Sequence, residues 1–139
     1  MSFKKMEEDG SLPGPRAILL SGFSQEVHRK MVDYTRAKNL NDIDVIPCRE
    51  DSLNVKVSDV LSGKSSGGII PAEKLPPVML WSGLTHTEFD TALSGFHETG
   101  IPRPIFATTT KHNLDFTVKE LLQHLLSEQK SLRTAMKEN

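Results

Sequence analysis

The chain has 139 residues, a formal net charge of −1, 37% apolar residues and 25% charged residues. That length fits one compact domain, the composition suits a packed core, and the near-neutral charge excludes a broad electrostatic footprint for nucleic acid. The single cysteine, Cys48, excludes a disulfide framework and a multi-cysteine zinc site, and no apolar run approaches the ~18–20 residues of a membrane-spanning helix.

Residues 1–16 carry Lys4, Lys5, Glu7, Glu8 and Asp9 with no apolar stretch, so they read as a flexible tail without a secretory signal. Ala17–Leu20 is a continuous apolar run, the pattern of a strand covered on both faces. Ser21-Gly22 then turns the chain, and Ser24 stands at the N-cap of a helix whose apolar positions are Val27, Met31 and Tyr34. Arg29, Lys30, Arg36 and Lys38 make that helix basic, which reads as a solvated face. A second strand, about Ile43–Pro47, is touched by proline and so belongs at a sheet edge. Cys48 behind it reads as a small inert hydrophobe. A helix closes this half near residue 62, and residues 63–77 form a linker. Gly63-Lys64-Ser65 within it is not a phosphate-binding loop, because Ser58 stands where that motif needs its first glycine.

The second half repeats the first. An ungapped offset of 61 residues lays Leu19 on Leu80, Ser21 on Ser82, Gly22 on Gly83, Leu53 on Leu114, Val57 on Val118 and Leu61 on Leu122. Only these few positions are identical, but Phe23/Leu84, Val32/Leu93, Val45/Phe106, Val55/Phe116 and Val60/Leu121 keep apolar on apolar. Val78–Trp81 is therefore the third strand. Thr85 to Glu88 forms a capping box, and Leu84 with Phe89 can close a hydrophobic staple. Gly100 stops that helix where Asn39 stops the first. The fourth strand is about Pro104–Thr108, and a last helix opens on a second box, Thr117 to Glu120.

These elements predict a three-layer α/β fold with a four-stranded parallel sheet in the order 2-1-3-4. Two βαβα repeats, 17–62 and 78–126, build it within a single domain, 17–132, that includes an extension of the last helix. Residues 133–139 are expected to fray.

In an open parallel sheet, ligands bind beyond the carboxyl ends of the strands, at the switch in strand order. Here that crevice lies between the first and third strands. Ser21, Gly22, Ser24, Ser82, Gly83 and Thr85 flank it, and Lys111 and Asn113 reach it from the end of the fourth strand. Two helix N-termini could hold an anion there. The alternative, and the preferred reading, is that the glycines make the turns and the hydroxyls cap the helices.

His28, His86, His97, His112 and His124 show neither a nucleophile–base pairing nor a metal-ligand spacing. No catalytic residue, metal or cofactor is expected. The function expected is that of a non-catalytic α/β module that binds another protein through its C-terminal helix or the Thr108–Asn113 loop, with self-association through the helix included. A small-anion or nucleotide-binding regulatory domain using the paired Ser-Gly turns is the alternative. Nucleic acid and membrane are not expected as partners.

Residues 78–126 resemble a family of small uncharacterised proteins, a domain of unknown function found in bacteria and photosynthetic eukaryotes. The resemblance rests on a strand ending in Ser-Gly, a capped helix and a Thr-x-x-Asn-x-x-aromatic-Thr-x-x-x-Leu signature. Here the signature comprises Thr110, Asn113, Phe116, Thr117 and Leu121. The first half departs from it, with Ser52 in place of Asn113 and Lys56 in place of Thr117. The family implies no activity, and its range implies a reducing compartment, cytoplasm or chloroplast stroma.

Overall fold

The computed structural model describes residues 10–63 and 75–138. Four strands, β1 (Ala17–Ser21), β2 (Asp44–Pro47), β3 (Val78–Ser82) and β4 (Ile105–Thr108), form one sheet in the order β2-β1-β3-β4. The helices are α1 (Gln25–Ala37), α2 (Val57–Leu61), α3 (His86–Ser94) and α4 (Val118–Glu138). Short 3-10 turns at Glu50–Ser52, Phe96–Thr99 and Asn113–Asp115 complete the described chain.

The strand order agrees with expectation, but the direction does not. β1 pairs parallel with β2, and β3 with β4, whereas the central pair β1/β3 is antiparallel. The sheet is mixed, not parallel throughout. Both central strands are buried at every position, so their apolar runs signal coverage on two faces and carry nothing about direction. The register places Leu19 opposite Leu80, Ile18 opposite Trp81 and Leu20 opposite Met79. Leu80 lies 61 positions beyond Leu19, so two residues matched by that offset meet at the centre of the sheet. The same offset recurs where Lys56 bridges Thr117. There Val57 N–H donates to the Phe116 carbonyl at 2.8 Å, and Val118 N–H to the Val55 carbonyl at 3.0 Å.

Alternation along the strands sends side chains to two cores. Ile18, Leu20, Met79 and Trp81 pack with Met31, Tyr34, Ala92 and Phe96. Ala17, Leu19, Val78 and Leu80 pack with Val57, Val60, Val118 and Leu121. Trp81 meets Phe89 edge to face at 5.8 Å, a geometry that adds to simple burial.

Helix ends follow the local chemistry. The Ser24 hydroxyl accepts from Val27 N–H, and Thr85 and Glu88 form a reciprocal box. Asn39, just past α1, and Gly100 both adopt left-handed φ, 62° and 73°. Gly100 does not stop α3 as expected, however: α3 ends at Ser94 with Gly95 as its cap, and Gly100 closes the 3-10 turn Phe96–Thr99. The Thr117 hydroxyl accepts from Glu120 N–H at 3.2 Å, and the Glu120 carboxylate accepts from Thr117 N–H at 3.0 Å. Lys56, its counterpart, makes no side-chain cap. Thr117→Ala should therefore cost about 1 kcal/mol and Lys56→Ala clearly less. Urea midpoints measure the difference, and equal losses would refute the asymmetry of the two caps.

The N-terminal segment departs from expectation. Residues 10–16 are not a free tail: Leu12 N–H donates to Leu84 O at 2.8 Å, and His86 N–H to Gly10 O at 3.1 Å. α4 is assigned as far as Glu138. The first nine residues and most of the linker, with Lys64 and Ser65, lie outside the described residues.

Candidate functional site

Antiparallel pairing dismantles the shared crevice. Ser21 stands opposite Val78 and Ala17 opposite Ser82, so the two Ser-Gly turns sit at opposite ends of the central pair. Ser21, Gly22 and Ser24 occupy one end, and Ser82, Gly83 and Thr85 the other. Lys111 and Asn113 follow β4, which runs parallel to β3, and so share the end of Ser82. Each turn is also covered by chain. The Ser21 hydroxyl donates to Pro76 O at 2.8 Å, and the Ser82 hydroxyl to Pro13 O at 3.3 Å. Thr109, buried beside it, donates to the same Pro13 carbonyl at 2.6 Å. Backbone thus passes close to both turns, and the Ser21 and Ser82 hydroxyls are engaged with it.

Asn113 is absorbed by its own loop. Its side-chain oxygen accepts from Thr110 N–H at 2.7 Å, its amide donates to Thr108 O at 3.1 Å, and its backbone N–H donates to the Thr110 hydroxyl at 3.0 Å. These bonds hold the Thr108–Asn113 turn in shape. Lys111 is exposed at its tip. Cys48 is buried, and burial pushes its thiol up to about 12, far from a reactive thiolate. Among the described residues no group of three His, Cys, Asp or Glu is placed to hold a metal ion.

The feature that emerges instead is a groove along β4. It has a volume of about 640 Å³ and lies between α3 and α4. Phe89 and Leu93 form one wall, Phe116 and Leu125 the other, and Phe106 to Thr108 the floor. Phe116 is held between two imidazoles: His124 stacks on it at 4.9 Å with 17° between planes, and His112 meets it edge-on at 4.9 Å. The floor is a sheet edge. Ile105 N–H donates to Pro77 O and Thr109 N–H to Trp81 O, so the alternation of a parallel ladder turns the backbone of Phe106 and Thr108 outward. The Asn113 amide takes the Thr108 carbonyl, which leaves the Phe106 N–H and carbonyl and the Thr108 N–H toward the groove.

The other edge of the sheet is closed further. At β2 the outward carbonyl of Val45 is bonded by His28 Nε2 at 2.8 Å, and Pro47 has no N–H to offer. Both are ways of closing an edge. At the positions 61 residues on, β4 has Phe106 and Thr108, and α3 has Phe89 where α1 has His28. Neither Phe89 nor Phe106 was singled out from sequence as a site residue. The signal was present in the 61-residue offset, where phenylalanines at 89, 106 and 116 stand on His28, Val45 and Val55.

Comparison with known proteins adds one match. The model of a family described as a domain of unknown function (DUF3783) matches residues 77–132, which include β3, α3, β4 and the first part of α4. No curated protein and no solved structure matches the chain. No helix among the described residues is long and apolar enough to cross a membrane.

Proposed function

We propose that this chain is a non-catalytic protein-binding module that takes up an extended segment of a partner along β4, and that its two halves descend from one duplicated βαβα unit. The observation that carries the binding reading is the groove itself, with aromatic walls and outward-facing strand backbone on its floor. Strand addition of this kind draws affinity from main-chain hydrogen bonds and specificity from side-chain pockets at alternate positions. The Thr108–Asn113 loop and α4, the elements expected to make contact, both line this groove. Support for duplication comes from Leu19 on Leu80, Lys56 on Thr117, and the exchanged bonds beside them. Two helices on each face of the sheet complete the three-layer arrangement proposed for the pair.

The test uses a substitution already present in the other half. Thr108→Pro copies Pro47 of β2 and removes an outward N–H without touching the ladder to β3. Stability should change by less than about 1 kcal/mol. Immobilised full-length chain should retain a partner from an extract of the source organism, and the Thr108→Pro variant should lose it. Retention that survives the substitution, or no retention by either chain, refutes strand addition at β4. Native mass of the unmixed protein identifies the case in which the partner is a second copy.

A further inference from the structure

We propose that the groove between α1 and the end of β2 binds a small organic phosphate, held by Arg29, Arg36 and Arg49. The groove has a volume of about 450 Å³, within the range that encloses a nucleotide-sized ligand. Arg29 and Arg36 stand two turns apart on α1, and Arg49 follows β2 on the facing side. Two turns of helix separate their backbones by about 10 Å, a span that two anionic groups on one small molecule can bridge. Val32 and Pro47 supply an apolar wall, and Asp33 is the one carboxylate in the lining.

Three observations favour a ligand over a merely solvated basic face. First, the lysines of this segment have carboxylate neighbours: Lys30 on α1 lies 4.0 Å from Glu26, and Lys38, just past its end, bonds Glu98 at 3.1 Å. Arg29 and Arg36 take part in no ion pair among the described residues. Second, the fold does not need cations here. The positions 61 residues on, which border the equivalent region of the other half, are Asp90, His97 and Thr110. Equivalent places in one architecture have thus taken opposite chemistries, aromatic beside β4 and cationic beside β2. Third, the β2 edge is closed to a peptide strand by Pro47 and by the His28–Val45 bond, so recognition there falls to side chains. Guanidinium forks are suited to phosphate oxygens, which they bind in pairs.

Isothermal titration of the full-length chain with inorganic pyrophosphate and with adenosine diphosphate tests this. Both should bind, the nucleotide more tightly because Val32 and Pro47 can contact its apolar face. Arg36→Ala and Arg29→Ala should each weaken binding about tenfold, the scale of a lost charge-assisted bond. Asp33→Asn should tighten it several-fold by removing the repulsive carboxylate. These residues are exposed, so circular dichroism and melting temperature should be unchanged in the absence of ligand. Thr108→Pro should leave phosphate binding intact, which separates this site from the β4 groove. Absence of binding at millimolar probe overturns the proposal, as does binding that survives the double arginine substitution. Heparin bound far more tightly than either probe, and released by the same variants, would mean a polyanionic macromolecule and would also overturn it.

Discussion

Gly83→Ala should destabilise the protein by about 3 kcal/mol, combining left-handed strain with displacement of packed backbone, and lower its melting temperature by roughly 10 °C for a domain of this size. Gly83 has φ +75°, and a Cβ added there would lie 2.6 Å from Pro15 O and 2.7 Å from Arg16 Cα. Both obstacles are main chain, so no rotamer change relieves them. Gly22 is in the same position at the other end of the sheet, with φ +78° and a Cβ driven into Leu75 O and Pro76 O. Gly100 separates the two contributions, since it has φ +73° but nothing within 4 Å of its Cβ. Gly100→Ala should therefore cost only about 1 kcal/mol, the left-handed strain alone. Denaturant midpoints give the three values. Equal losses at positions 83 and 100 would mean that the crossing segment gives way freely. In the Gly83 variant, amide exchange at Leu12 should also rise, because its bond to Leu84 O depends on the same close approach.

What the amino-acid order revealed divides by distance along the chain. The caps at Ser24, Thr85 and Thr117 and the left-handed stop at Asn39 were legible, because partners three or four residues apart decide them. Central and edge strands were legible from unbroken apolar runs on one side and prolines on the other. The direction of β3 against β1 was not. Ala17–Leu20 and Val78–Trp81 are apolar at every position, so either direction buries the same side chains. Contacts remote in sequence accompany the antiparallel choice: Pro13 with Ser82 and Thr109, and Pro76 with Ser21. That one reversal moved the site. With β1 and β3 antiparallel there is no common carboxyl end, so interest passes from the middle of the sheet to its two edges. The edge sites were hidden for a related reason. Arg49 joins Arg29 and Arg36 only once β2 has returned beside α1, and Phe116 joins Phe89 only across the edge of β4.

Arg16 illustrates how a residue without any local motif can fix that architecture. Its guanidinium donates to both carboxylate oxygens of Glu88 at 2.9 Å, to Asp42 at 2.6 and 3.2 Å, and to Gly83 O at 3.1 Å. It thus ties the entry to β1, the approach to β2 and the first turn of α3 together. Nothing in its neighbourhood in sequence marks it, and its counterpart 61 positions on is Pro77. The Asp42 arm is exposed and screened by water, so it contributes little. The bidentate arm to Glu88 is better sheltered. Arg16→Met keeps the apolar stem, and its loss should cost about 1.5 kcal/mol at neutral pH, the low end for bonds to a charged group.

The pH dependence distinguishes this from a simple packing loss. Arg16, with the Thr85 N–H behind it, holds the Glu88 carboxyl down to about 2. A carboxyl held below its unfolded value stabilises the folded state fully above about pH 5 and loses that contribution as the pH falls toward 2. The gap in urea midpoint between the parent chain and Arg16→Met should therefore be widest near pH 7. It should close through the acid range, because protonated Glu88 no longer rewards the arginine. The variant keeps the Thr85 N–H bond to Glu88 at 2.8 Å, so a shallower acid slope should remain in it. Added salt at pH 7 should narrow the gap, but less than at a fully exposed pair. Stability curves that stay parallel from pH 7 to pH 2 would show that Arg16 acts through its stem alone, and the clamp on Glu88 would be refuted.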